Sequence, residues 1–297
     1  MQEVRLLYRK LVLLILSVFA LLLLMFIGRF YYNSDAVAPT NVTRVEQANI
    51  WEPKNVIYEL SSMPPLVKQG YYLITETSKH MGPMASNPVK RFTGNNLACT
   101  NCHLKAGTQA GSASWVGIIE RFPQFGGRSN TIGTIEDRIN GCIERSMNGK
   151  KLPEGANELN AIVTYMEWLG EGLPEERKKE FKGYTPITIP DTAVDLELGK
   201  LVYNNECVLC HKENGQGIRH TNAEREYQYP PLWGDDSYND GAGMNRVITS
   251  AAFIKGNMPF GQATWDNPKL TDEEAFHVAG YINSFDRPKK KNKEDDY

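Results

Sequence analysis

The sequence predicts an all-α protein, with two tandem helical domains behind an N-terminal apolar helix. Three observations lead there. A five-residue word of the form C-x-x-C-H occurs twice, as Cys99-Thr100-Asn101-Cys102-His103 and Cys207-Val208-Leu209-Cys210-His211. Each copy is followed by an amphipathic stretch that can close a domain. An uncharged run, Leu11 to Gly28, lies close to the N-terminus.

The apolar run comes first in the chain. Arg5, Arg9 and Lys10 precede it and Arg29 closes it. It is longer than a signal-peptide core of about 7–15 residues and reaches the lower limit of about 17 for a spanning helix. Basic residues in front of it hold its start in the cytoplasm and send the rest outward. Residues 1–29 therefore read as a signal-anchor, transmembrane helix. The alternative is a cleaved signal, with Ala36-Val37-Ala38 as the cleavage site and a soluble periplasmic product. Pro39 directly after that site, and its distance from the apolar run, favour the anchor. Residues 30–55 are polar and small, carry Pro39 and Pro53, and read as a tether. Asn41-Val42-Thr43 matches a glycosylation sequon, a chance match in a bacterial protein.

C-x-x-C-H is the attachment word of c-type haem. Two thiols add to the vinyl groups of one porphyrin, and the adjacent imidazole reaches the iron from one face. The expectation is two covalently attached haem c groups on class I cytochrome c-like domains. Cys99, Cys102 and His103 hold one, and Cys207, Cys210 and His211 the other. Of five cysteines only Cys142 remains, so no intrachain disulfide framework is left. Haem of this type is attached outside the bacterial inner membrane, which puts the body of the protein on the periplasmic side. A net charge of −2 over 297 residues gives no electrostatic footprint for nucleic acid.

The first haem domain spans 56–185. Its closing helix is Glu158 to Leu169, with Leu159, Ile162, Val163, Met166 and Leu169 on one face. Gly170 to Pro190, rich in charge, glycine and proline, reads as a surface linker. The second domain spans 186–287 and closes with Thr271 to Phe285. Thr271 with Glu274 forms a capping box, and Phe276, Val278, Ala279 and Ile282 supply apolar surface. This is a duplication of one helical unit, with no period-2 pattern to argue for strands. Residues 288–297 carry four lysines, then three acidic residues and no apolar anchor, and read as a solvated, disordered tail.

The sixth ligand of each iron decides between electron transfer and catalysis. For the second haem the candidates are Met244, Lys255, Met258 and His277. Met258, in Gly256-Asn257-Met258-Pro259, is preferred, because a loop thioether can reach across a haem face. Met244 is second, and His277 falls within the closing helix. His/Met ligation raises the potential and suits a relay. For the first haem no methionine occupies the corresponding place, and Cys142 appears instead. If residues 134–146 are helical, Arg138, Cys142 and Ser146 recur at every fourth position, with Arg145 at i+3 from Cys142. Guanidinium groups depress a thiol pKa, and the thiolate is the form that binds iron or attacks sulfur. Arg128 and Lys150 lie just outside the segment. Several cations around a thiolate would collect a small dianion, and arginine does so bidentately. The bland reading is a buried free cysteine beside solvated surface charges.

These residues resemble the dihaem thiosulfate dehydrogenase family, whose members include bifunctional tetrathionate reductases. The resemblance runs from Leu60 to Asp286. It rests on the two C-x-x-C-H words, on Gly-Gly-Arg128-Ser and on Asp-Arg138-Ile-Asn-Gly-Cys142-Ile-Glu-Arg145-Ser146-Met-Asn-Gly-Lys150. Pro-Pro-Leu-Trp233-Gly, Gly-Ala-Gly-Met244 and Ala-Phe-Ile-Lys255-Gly-Asn257-Met258-Pro complete it.

The resemblance implies that Cys142 is the axial ligand opposite His103 and that this haem is the active site. It implies that Arg128, Arg138, Ser146 and Lys150 line a pocket for thiosulfate or tetrathionate. It also implies that His211 and Met258 hold the second haem. That haem would exchange electrons with a small c-type cytochrome or the membrane quinol chain. Some relatives carry lysine where Asn257 stands, and there the lysine can replace methionine on oxidised iron. Asn257 therefore implies that Met258 stays bound in both redox states. Three other readings stand beside this one. The first is a membrane-tethered dihaem electron-transfer cytochrome with no substrate of its own. The second is a dihaem peroxidase, for which no acid/base residue is evident. The third is a cytochrome that loads thiosulfate onto a carrier protein.

Overall fold

The computed structural model describes residues 2–32 and 51–296. Most of the expected tether, with Ala36-Val37-Ala38 and Asn41-Val42-Thr43, lies outside the described residues. Helix α1 (Gln2–Tyr32) is a unit of its own, and Trp51–Tyr297 form a second compact unit. Within α1, Arg5–Ile27 is long and apolar enough to cross a membrane. A helix of this composition serves as a signal sequence or as an anchor.

The second unit contains two helical halves. The first holds α2 (Val56–Glu59), α3 (Pro65–Thr75), α4 (Thr77–Met81), α5 (Ile135–Arg145) and α6 (Asn157–Gly170). The second holds α7 (Leu196–Glu206), α8 (Val208–His211), α9 (Val247–Asn257) and α10 (Asp272–Asn283). Helix α3 starts on Pro65, whose fixed φ suits a first helical turn. It buries Val67, Gly70, Leu73 and Ile74 on one face. That face meets α6, where Leu159, Ile162, Met166 and Leu169 are buried as their spacing predicts. The second half repeats the arrangement with α7 against α10. Thr271 caps α10: its hydroxyl accepts from the Glu274 amide at 3.2 Å, and Glu274 accepts from the Thr271 amide at 2.9 Å.

Both helix pairs cross at a glycine. A Cβ on Gly70 would lie 2.1 Å from the Ala161 carbonyl oxygen, and one on Gly199 2.3 Å from that of His277. The two backbones touch where any side chain would hold them apart. This matched pair of contacts is the structural trace of the duplication.

Two short hairpins are absent from the sequence reading. Strand β1 (Gln124–Gly126) pairs antiparallel with β2 (Thr131–Gly133), and β3 (Ile218–His220) with β4 (Ala223–Tyr229). The β3–β4 register shifts within the hairpin, so no clean alternation marks it in the sequence. This hairpin ties the halves together. Tyr227 is buried in the core of the first half, and its hydroxyl donates to Asp236 at 2.7 Å. Asp236 also accepts from the Asn96 amide at 2.9 Å and from Arg219 at 2.8 Å.

Two further expectations are corrected. Residues 170–190 are not a plain surface linker. Phe181 is 1% exposed, and the Arg177 guanidinium lies 5.3 Å from the Trp51 ring and 5.8 Å from that of Phe181. Charged neighbours conceal this aromatic seat in the sequence. Residues 288–296 are largely exposed but tied to the fold, where a disordered tail was expected. Lys293–Asp296 form a 3₁₀ turn and Asp296 is buried. Polar contacts hold the segment where an apolar anchor is missing. Asp240 accepts from the Lys290 amide at 2.8 Å and from Lys293 Nζ at 3.2 Å.

Gly70→Ala must push α3 and α6 apart. The expected cost is about 1–3 kcal/mol, read from urea unfolding of the haem-loaded protein by far-ultraviolet circular dichroism.

Candidate active site

Each C-x-x-C-H word opens onto an apolar chamber, one of about 310 Å³ and one of about 330 Å³. The first is walled by Leu97, Trp115, Ile139, Ile162 and Met166 around Cys99, Cys102 and His103. The second is walled by Leu232, Phe253, Ile254 and Ile282 around Cys207, Cys210 and His211. Burial pushes the Cys99 thiol up to about 11, and the thiols of Cys102 and Cys207 up to about 12. Before haem is attached, all three are held as thiols at neutral pH.

The two histidines are set identically. His103 Nδ1 lies 2.9 Å from the Ala113 carbonyl oxygen, and His211 Nδ1 lies 2.8 Å from that of Pro230. A neutral imidazole so placed donates from Nδ1 and leaves the Nε2 lone pair for a metal. The partner is 10 residues downstream in the first half and 19 in the second. The β3–β4 hairpin fills the difference. Four positions after each histidine, Gly107 and Gly215 adopt φ of +87° and +67°. A Cβ there would strike Trp115 at 2.5 Å or Trp233 at 2.2 Å. Two thiols and one imidazole nitrogen in an apolar chamber are the donor set of a covalently attached haem c, once per chamber.

The first chamber holds one group that the second lacks. Helix α5 is started by Thr134, which exchanges hydrogen bonds with Asp137, and is seated on Ile135, Ile139 and Ile143. That phase turns Cys142 into the chamber with His103. Arg138, one turn earlier, donates from Nη1 to Cys142 Sγ at 3.3 Å. Burial opposes ionisation of this thiol. Before haem is attached, the charges of Arg138 and Arg145, with the His103 imidazole nearby, outweigh burial and bring its pKa down to about 6. Ser146 caps the helix end and lines the same chamber.

The remaining predicted residues are placed as follows. Arg128 donates to the Gly241 carbonyl and lies 3.9 Å from Asp296, outside the chamber lining. Lys150 lies over the Phe92 ring at 5.9 Å and also lies outside the lining. Arg145 grips Asp296, from Nη2 at 2.5 Å and from Nε at 3.3 Å. Met258 follows α9 directly and lines the second chamber. Lys255 is turned to the Pro186 carbonyl at 3.1 Å and to Asp272. His277 is 2% exposed and accepts from the Asp195 amide at 2.9 Å, as a packed helix residue. Asn257 donates to the carbonyls of Gly111 at 2.9 Å and Phe253 at 2.8 Å, and accepts from Gln109 at 2.7 Å.

Sequence reasoning missed several wall residues. Leu97 and Tyr238 line both chambers, together with the already identified Cys102 and Met244, and Tyr184 reaches the first from the supposed linker. The carbonyls of Ala113 and Pro230 were also missed. Any residue supplies a carbonyl, so no side chain announces them.

Comparison with known proteins agrees with this reading of the chambers. The SoxA/TsdA cytochrome c domain matches residues 90–174, and the cytochrome c domain matches residues 196–286. The protein is a tandem c-type cytochrome with two covalently bound haem c groups. Over 75% of its length it is 36% identical to a thiosulfate dehydrogenase of Stutzerimonas stutzeri (strain A1501), covering 68% of that protein. Over 66% of its length it is 40% identical to one of Allochromatium vinosum, covering 72% of it. The chain belongs to the thiosulfate dehydrogenase family. It also superposes on the thiosulfate dehydrogenase (TsdBA) from Marichromatium purpuratum, as isolated, with a TM-score of 0.69 and 32% identity. That match covers 84% of this chain and 52% of the other, so the chain spans about half of that protein.

Replacing Cys207 and Cys210 together with serine should leave one haem per chain. Replacing Cys99 and Cys102 should do the same. Intact-protein mass after export with haem attachment checks both.

Proposed function

We propose that this chain interconverts two thiosulfates and one tetrathionate at the first chamber, while the second relays electrons. In this reading His103 and Cys142 would hold the iron of the first haem, and His211 and Met258 that of the second. The domains then run over 56–185 and 186–287. The observation that carries the reading is the Arg138–Cys142 pair facing His103 inside one chamber. An electron carrier needs no such pair.

Bound haem iron supplies one-electron redox chemistry. The side chains supply the rest. Arg138 holds Cys142 as a thiolate and meets the charge of an incoming dianion, which a dry pocket screens less than water does. In the oxidising direction the Cys142 sulfur bonds to the sulfane sulfur of one thiosulfate. The haem groups, when bound, would take up the two electrons this bond releases. The sulfane sulfur of a second thiosulfate then attacks that of the first, releasing tetrathionate and restoring the thiolate. In reverse, the thiolate attacks a central sulfur of tetrathionate and expels thiosulfate, as in thiol–disulfide exchange. Ser146 offers a hydroxyl to the same anion. The electrons pass to or from a small c-type cytochrome or the quinol chain on the periplasmic side of the membrane, where α1 anchors the protein.

The test is steady-state turnover of the purified haem-loaded protein, with thiosulfate and an acceptor dye, then with tetrathionate and a reduced dye. Activity in both directions is the expected outcome. Loss of both, with two haems intact, leaves only a tethered electron carrier. Cys142→Gly should abolish turnover and retain both haems by mass. Arg138→Met removes a charged hydrogen bond worth about 1.5–3 kcal/mol. It should lower kcat/KM by about 10- to 150-fold.

A further inference from the structure

Asp296 occupies a cluster of cations that includes Arg145, on the same helix as Cys142. Its side chain is 7% exposed and is held by Arg145 at 2.5 Å, with Lys290 at 3.4 Å and Arg128 at 3.9 Å. Arg145 stands one turn beyond Cys142 on α5. Three cations therefore converge on a single carboxylate, and one of them, Arg145, also acts on the charge of Cys142. They are two of the sequence-identified cations and one lysine from the segment itself. The bidentate Arg145 contact has the geometry an oxyanion would use.

We propose that Asp296 is a built-in occupant of this cation cluster and sets the protein's affinity for dianionic sulfur oxyanions. The proposal rests on the reading of the first chamber given above and adds a residue to it. The segment is well placed for the task. It is tied down upstream, where Asp240 holds the Lys290 amide at 2.8 Å. The carboxylate can therefore leave Arg145 while the chain stays nearby. A dianion must displace it and takes over the same guanidinium groups. The apparent affinity is reduced by the fraction of molecules whose cluster is vacant. A carboxylate docked nine-tenths of the time weakens binding about tenfold.

A purely structural carboxylate predicts the opposite. Removing it would loosen Arg145 and Arg128 and weaken anion binding. Charge alone is controlled by Glu294, which is exposed on the same turn. Glu294→Gln changes the net charge as Asp296→Asn does, without touching the cluster.

The experiment compares haem-loaded wild type, Asp296→Asn, Asp296→Glu, Glu294→Gln and a chain ending at Lys291. Two readouts are taken: KM for thiosulfate, and the Kd of inorganic sulfate by isothermal titration. Asp296→Asn and the shortened chain should lower both constants about tenfold. Asp296→Glu and Glu294→Gln should match wild type. Sulfate binding needs no turnover. Tighter sulfate binding without thiosulfate activity would keep this inference and sink the reaction assigned above. Sulfate affinity that is unchanged or weaker in Asp296→Asn overturns the inference, as does an equal effect of Glu294→Gln.

Discussion

A sulfur anion cannot rest in an apolar chamber without a positive charge against it. Before haem is attached, the thiols of one chamber are pushed apart, Cys102 up to about 12 and Cys142 down to about 6. Both groups are buried, so burial does not separate them. The 3.3 Å contact from Arg138 does, with His103 and Arg145 adding to it. That contact depends on helix phase. Thr134 fixes where α5 begins, and three isoleucines fix which side faces inward. A start one residue later would turn the sulfur away from His103.

The two halves are built alike but carry different side chains in their chambers. Each carries a glycine crossing, an inward imidazole held by a carbonyl, and a tryptophan seated on a left-handed glycine. Each also pins the loop after its haem word with a tyrosine: Tyr165 to Ala106 at 2.8 Å, and Tyr203 to Lys212 at 2.7 Å. Against this common frame the differences stand out. The first half has α5 with Cys142. The second has α9, ending at Met258, and a hairpin that reaches back into the first core. Asn257 makes the reverse connection through Gln109 and Gly111.

Much of this was legible in the residues. The haem words, the closing helices and the Arg138–Cys142–Ser146 stripe all follow from local spacing, and local spacing is what a sequence records best. What was not legible depends on contacts between distant positions. The β3–β4 hairpin has no clean alternation, because its register slips. Phe181 sits among charges that disguise its burial. Lys150, adjacent to the right segment, swings to Phe92 and away from the chamber. Asp296 is the clearest case. A lysine-rich, acidic stretch has the composition of a disordered end, yet two arginines elsewhere in the fold, with its own Lys290, give it one seat.

Leu97, Cys102, Tyr238 and Met244 face both chambers, and the wall between the two porphyrin sites is therefore common property. A change at Tyr238 or Met244 reaches both prosthetic groups together, so a shift in either spectrum does not identify which half was altered. The gene has no clean place to be divided either. A cut between the two matched domains would separate Tyr184 from the first site or strip the second of its partition, leaving each fragment with an open cup.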